Sequence, residues 1–180
     1  MSQQINLVPL LANFRSGATL FTILLNNHSK IISHGESFPF FEDDVTDYQC
    51  SCDEKVRECK TYRSHAEHMF NKELKDWDRT RFVMLRNYSN IHFVNKWLHS
   101  FNYLPLLRDL VIKIIPVYKR KNNDFLTAQK TFFFNSLNHQ NCSIYLDGTK
   151  SLRRAELFAK DEQISMKVIH LVRDGRGFCA

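Results

Sequence analysis

Several protein classes are excluded by what the chain lacks. No apolar stretch approaches the roughly 20 residues of a membrane span. The longest, Leu104 to Val117, is interrupted by Arg108, Asp109, Lys113 and Pro116. The N-terminus, Met1 to Gln4, is short and polar, so no secretory signal is visible. With 5 glycines and 4 prolines among 180 residues there is no low-complexity tract or linker, and no internal repeat. No Cys-x-x-Cys pair occurs. Basic residues are never concentrated: the net charge of +6 is spread along the chain, and the densest cluster is Lys119-Arg120-Lys121. That is no basic face for nucleic acid. A cytoplasmic protein with mostly reduced thiols is expected. At 180 residues and 43% apolar composition, the chain is long enough for one well-buried core.

What is present begins with Asn13-Phe14-Arg15-Ser16-Gly17-Ala18-Thr19-Leu20, between an apolar stretch (Ile5 to Ala12) and a helical pattern (Leu20 to Asn27). Strand, small-residue turn and helix start, in that order, build an anion cradle. Amides of the first helical turn have no internal partner, and the helix dipole favours negative charge there. Gly17 permits close backbone approach. Thr19 adds a hydroxyl, and Arg15 a planar cationic fork suited to phosphate or sulfate. The loop is not the nucleotide-triphosphatase pattern, which requires Gly, four residues, then Gly-Lys-Ser/Thr. The plain alternative is a strand–helix turn capped by Ser16.

Along the chain, residues 5–14 read as a strand and 17–28 as a helix with Leu20, Phe21, Ile23 and Leu24 toward a core. Ile31 to Ser33 is a short strand, and 37–52 an aromatic, then acidic loop. Asp53 to Trp77 has a charged helical pattern, and Arg81 to Leu85 is strand or helix start. Ile91 to Leu98 reads as a helix with Phe93, Val94 and Trp97 inward, and Val111 to Tyr118 as a strand, though Pro116 argues against a central position. Asp124 is expected to cap a helix running to about His139, with Leu126, Phe133, Phe134 and Leu137 available to the core. Ile144 to Leu146 is a strand, Leu152 to Lys160 a helix, and Lys167 to Arg173 the strongest strand, with His170 a hydrogen-bonded core residue. Cys142 and Cys179 read as small buried apolar residues. Strands alternating with helices predict a parallel sheet in an α/β domain. Ligands bind beyond the carboxyl ends of such strands. Four clusters fall there: Arg15 to Thr19, Gly35-Glu36, Asp147 to Lys150, and Arg173 to Arg176.

Together those clusters resemble the sulfotransferases that use 3′-phosphoadenosine-5′-phosphosulfate (PAPS), specifically the bacterial and protein-tyrosine branches. Arg15 to Leu20 is similar to their 5′-phosphosulfate loop. Asn27-His28-Ser29-Lys30-Ile31 through Gly35-Glu36 is similar to their His-Pro…Gly-Glu stretch, with Ser29 in place of the usual Pro. Asp147-Gly148-Thr149-Lys150-Ser151 resembles the Asp-Ser-Ser-Lys stretch, and Val168 to Gly177 the 3′-phosphate strand and turn. Cys50-Ser51-Cys52…Glu58-Cys59 also recurs in bacterial branches, usually with Gly where Asp53 stands.

The resemblance implies an α/β, P-loop-like three-layer fold and transfer of a sulfuryl group from PAPS, as co-substrate, to an unidentified acceptor hydroxyl or amine. Charge in such a transfer spreads over peripheral oxygens and is met by positioning and electrostatics. By resemblance, Glu36 is the general base. Arg15, with Ser16, Gly17, Ala18, Thr19 and Leu20, holds the 5′-phosphosulfate, Arg173 and Arg176 the 3′-phosphate, and Lys150 faces the sulfate. No metal is required if Arg15 and the helix end neutralise the charge. Cys50, Cys52 and Cys59, with His65 and His68 downstream, form an acceptable ligand set for zinc. The tight spacing and the helical character after Cys59 leave free thiols as the default, and no metal residue is assigned. The chain stops at Cys179-Ala180, soon after the phosphate-binding strand. The family's next helix and its Gly-rich basic loop are therefore expected to be missing from a single domain over 1–180, with the Cys-containing loop and a helical insertion over about 37–120. Two other functions remain open: a P-loop kinase relative, disfavoured by the absent lysine, and a non-catalytic or degenerate nucleotide-binding domain.

Overall fold

The computed structural model describes residues 4–13, 15–35, 49–50, 52–55, 58–60, 62–64, 67, 91–99 and 104–174. The chain divides into two compact units, Met1–Ser37 with Phe133–Ala180, and Phe38–Phe132. The helical pattern of 53–77 is largely outside the described residues, and Arg81 to Leu85 wholly so.

The first unit is built on a parallel sheet. Strand β1 (Ile5–Ala12) is followed by helix α1 (Ala18–Asn26) and strand β2 (Ile31–Ile32). After the second unit come β3 (Ile144–Asp147), a helix (Leu152–Phe158), β4 (Ile164–Met166) and β5 (Ile169–Leu171). The order is β2-β3-β1-β4, with β5 also on β1, and every pairing is parallel. The expected α/β class with helices flanking a parallel sheet is therefore what forms.

Strand β1 is central because its residues alternate between two buried faces. Leu10 packs with Leu146, Ala18, Phe21, Leu25, Ile169 and Leu171 on the α1 face. Opposite, Tyr145 meets Phe133 at 4.4 Å between ring centroids, and Phe133 meets Phe158 edge-on at 5.4 Å.

The strand expected over Lys167 to Arg173 is broken in two and begins earlier, and the cause is Pro9. Register along β1 is unshifted across the break: Leu7 pairs with Met166 and Leu10 with Ile169. Ile5 donates to the Gln163 carbonyl (2.9 Å), and Leu7 accepts from the Lys167 amide (3.0 Å). Alternate residues of β1 therefore bond on this side, and the next is Pro9. It has no N–H to give, so the Lys167 carbonyl loses its ladder bond and the strand parts between β4 and β5. His170 points away from the α1 face and is exposed, not a core residue.

Helix α1 buries a different face from the one expected. Ala18 and Thr22 are buried and Phe21 and Leu25 half-buried, at i, i+3, i+4, i+7. Leu20, Ile23 and Leu24 are 62%, 57% and 61% exposed. The helix is apolar nearly all round, so its pattern does not select a face; the small Ala18 and Thr22 sit nearest the sheet.

Beyond the antiparallel bridge of Gln49 with Lys55, the described elements of the second unit are helices: α2 (His92–His99), α3 (Pro105–Ile114) and most of α4 (Pro116–His139), whose last turns from Phe133 belong to the first unit. Val111 to Tyr118 is thus not a strand. Pro116 opens α4, where its missing N–H is no loss, and Ile115 before it is extended (φ −81°, ψ 112°), as a residue before proline must be. Ile112 and Leu98 pack with Val94, Trp97, Val111 and Tyr118, whereas Phe93 is exposed rather than inward. Asp124 lies inside α4 and does not cap it. Phe125, Ala128, Phe132, Phe133 and Leu137 carry its buried stripe, with Leu126 and Phe134 half-buried. Among the described residues no helix is long and apolar enough to cross a membrane.

Candidate functional site

Parallel pairing sets the carboxyl ends of β1, β2, β3 and β5 along one rim, and each runs into one of the four clusters. After β1 the chain turns sharply. Arg15 (φ 58°) and Gly17 (φ 83°) both hold left-handed backbone. Gly17 is free to do so, while Arg15 holds it at a cost of about 1–2 kcal/mol. Gly17 is the N-cap of α1 and provides no side-chain cap. Ser16 is not the cap: its amide donates to the Asn13 carbonyl (3.3 Å), and its buried hydroxyl meets no partner among the described residues. The first helical bond runs from the Phe21 amide to the Gly17 carbonyl (3.0 Å). The amides of Ala18, Thr19 and Leu20 precede it and are unmet within the helix. Thr19 and Leu20 are exposed beside them, and Ala18 is buried.

The rim is stitched by three contacts. Arg173, beyond β5, donates through Nη1 to the carbonyl of Arg15 at 3.0 Å, which brings its guanidinium onto the β1–α1 turn. Ser33, beyond β2, donates its hydroxyl to the Leu146 carbonyl (2.8 Å) and accepts from the Gly35 amide (3.1 Å). Gly148, beyond β3, donates to the Gly35 carbonyl at 3.1 Å, and a Cβ on Gly148 would lie 2.7 Å from that oxygen. Only glycine fits there. Glu36 follows Gly35 in sequence, but Glu36 and Arg176 lie outside the described residues.

The β3 loop is locked from beneath. Asp147, 2% exposed, accepts from Arg154 through Nε and Nη2 (3.2 and 3.1 Å), and its other oxygen accepts from the Thr149 amide and hydroxyl (3.1 and 2.7 Å). Arg154 also lies 5.1 Å from the centroid of the Phe158 ring. Ser151 caps helix α5 (Leu152–Phe158), accepting from the Arg154 amide. Between these anchors Lys150, half-buried, is held at φ 58°. Two cationic candidates, Arg15 and Lys150, thus occupy strained backbone, a recurrent property of ligand-binding loops.

Sequence reasoning missed His34 and Arg154. His34 carries no signal beyond its place beside Gly35. Its ring stacks on Tyr145 (5.9 Å, 21°), with Nδ1 3.3 Å from the tyrosine hydroxyl. Burial pushes its pKa down to about 4, so it is neutral at pH 7. An unfolded chain binds this proton near pH 6.5, while the native state does so near 4. Stability is full above 6.5 and declines as pH falls from 6.5 toward 4, by up to about 3 kcal/mol. Urea melts at pH 7.5 and 5 are expected to show the loss, and His34→Gln to remove that part of it. Equal pH slopes for the two proteins would refute the assignment.

In the second unit, Cys50, Cys52 and Cys59 are brought together, their sulfurs all within 4.8 Å of one another. Cys142 is half-buried rather than buried, and Cys179 lies outside the described residues. In comparisons with protein-family models, curated proteins and solved structures, nothing matched this chain.

Proposed function

We propose that the chain binds a 3′-phosphorylated adenine nucleotide carrying a 5′-phosphosulfate and transfers its sulfuryl group to an acceptor. The observation that carries this reading is the bond from Arg173 Nη1 to the Arg15 carbonyl. It sets the cation beyond β5 against the helix N-terminus beyond β1, so one small polyanion is able to meet both. The sequence resemblance supplies the nucleotide.

In the proposed reaction the acceptor oxygen attacks sulfur and the bond from sulfur to the bridging oxygen breaks. That electron pair stays on the 5′-phosphate, leaving 3′-phosphoadenosine-5′-phosphate. Arg15 and the amides of Ala18, Thr19 and Leu20 meet the charge that develops there. Lys150 faces the transferring group. Glu36 takes the acceptor proton, as the resemblance implies, and Arg176 is the second candidate for the 3′-phosphate. A P-loop-like fold and a cytoplasmic location belong to the same reading.

Isothermal titration with 3′-phosphoadenosine-5′-phosphate tests it. Binding is expected with and without EDTA, since no divalent ion takes part, and Arg15→Ala is expected to weaken it at least 10-fold, the loss of one charge-assisted contact. Binding of ATP with magnesium and none of the bisphosphate would overturn the proposal in favour of a kinase-like site.

A further inference from the structure

We infer that Cys50, Cys52 and Cys59 form a three-thiolate zinc site that closes the segment joining the 49–55 hairpin to the helical turn after Cys59. It is independent of the nucleotide site, and no step of the proposed reaction uses it.

The backbone prepares the convergence. Gln49 and Lys55 form an antiparallel bridge. Within it the Cys50 amide donates to the Glu54 carbonyl (2.8 Å) and the Asp53 amide to the Cys50 carbonyl (2.9 Å). Asp53 takes φ 64° to complete the turn. The Lys55 carbonyl then accepts from both Glu58 and Cys59 (2.8 and 2.9 Å), and Arg63 donates to the Cys59 carbonyl (3.0 Å). Cys59 is therefore delivered back to the hairpin at the start of a helical turn.

All three sulfurs fall within 4.8 Å of one another. A tetrahedral zinc with bonds of about 2.3 Å separates its sulfurs by about 3.8 Å, so adjustments of about 1 Å complete the set. A disulfide demands about 2.05 Å and uses only two of the three sulfurs. Burial as apolar filler accounts for Cys59, 3% exposed, but not for the exposed Cys52 turned toward it. Outer-shell support is already present. The backbone amide of Cys52 lies beside the Cys50 sulfur and that of Glu54 beside the Cys52 sulfur. Tyr62 lies buried beside the three sulfurs. Three soft ligands select zinc over magnesium or calcium. The fourth position is left to solvent.

The full chain, purified without chelator and dialysed against trace Zn2+, is expected to hold one zinc per chain. Replacement by Co2+ is expected to give the intense visible bands of a tetrahedral site and a near-ultraviolet thiolate-to-cobalt band. Cys50→Ser, Cys52→Ser and Cys59→Ser each remove a direct ligand. Each is expected to weaken binding by more than the roughly 10–100-fold typical of an outer-shell partner. Cys142→Ser, in the other unit, keeps one zinc. Alkylation of the wild-type chain needs no variant to fold: zinc is expected to protect three thiols that react once it is stripped. Substoichiometric zinc, octahedral cobalt spectra, equal alkylation with and without the metal, or an intact mass two hydrogens light would each overturn the site.

Discussion

Asp147→Ala is expected to destabilise the protein by about 3–5 kcal/mol, the cost of leaving one member of a buried ion pair without its partner. Asp147 and Arg154 are 2% and 4% exposed, and two nitrogens of the guanidinium meet one carboxylate oxygen. The other oxygen holds both the amide and the hydroxyl of Thr149. The substitution therefore strands a buried cation and frees the loop that carries Lys150. At roughly 2–4 °C per kcal/mol for a chain of this size, the melting temperature falls by about 6–20 °C. Combining it with Arg154→Met removes the stranded charge and is expected to recover most of the loss. A fall of only a degree or two for Asp147→Ala would show that the pair is no lock. Full loss in the double variant would place the energy in Thr149 instead.

The rim was legible in the sequence because its needs are local. The three described glycines, at 17, 35 and 148, all follow a strand end. Two of those described show why: Gly17 takes a left-handed backbone, and Gly148 lies against Gly35. Cations beside small residues at those ends are what the sequence offers for the proposed anion site before any fold is known. What was illegible depends on partners distant in sequence. Helix α1 is apolar on both sides, and only the sheet chooses Ala18 and Thr22 over Leu20 and Leu24. Val111 to Tyr118 is β-branched, yet Pro116 is better used as the first residue of a helix than as a break in a strand. The split between β4 and β5 is written at Pro9, which lies far from both in sequence and acts through a ladder bond it cannot make. Arg154 reads as a surface residue of a short helix until β3 places Asp147 beneath it. The cysteines are close in sequence, but their convergence requires the left-handed turn at Asp53.

Arg173→Ala is expected to weaken 3′-phosphoadenosine-5′-phosphate by about 10–160-fold, which is the 1.5–3 kcal/mol of a charge-assisted hydrogen bond expressed as affinity. The fold should be almost untouched, because Arg173 is exposed and surface substitutions usually lie within about 0.5 kcal/mol. Its Nη1 is engaged by the Arg15 carbonyl, which leaves the rest of the fork for a ligand. Two separate losses would otherwise be mixed, that of the phosphate contact and that of the tether on the β1–α1 turn. Arg173→Gln separates them, since an amide N–H still serves the carbonyl but brings no charge. If the 3′-phosphate is what Arg173 meets, Arg173→Gln binds the bisphosphate as poorly as Arg173→Ala. Adenosine 5′-phosphate, which lacks the 3′ group, then binds wild type and both variants alike. Arg15→Ala should instead weaken both nucleotides. Equal losses for the two nucleotides in Arg173→Ala, rescued by glutamine, would make the residue a strut for the turn and leave the 3′-phosphate without a partner at β5.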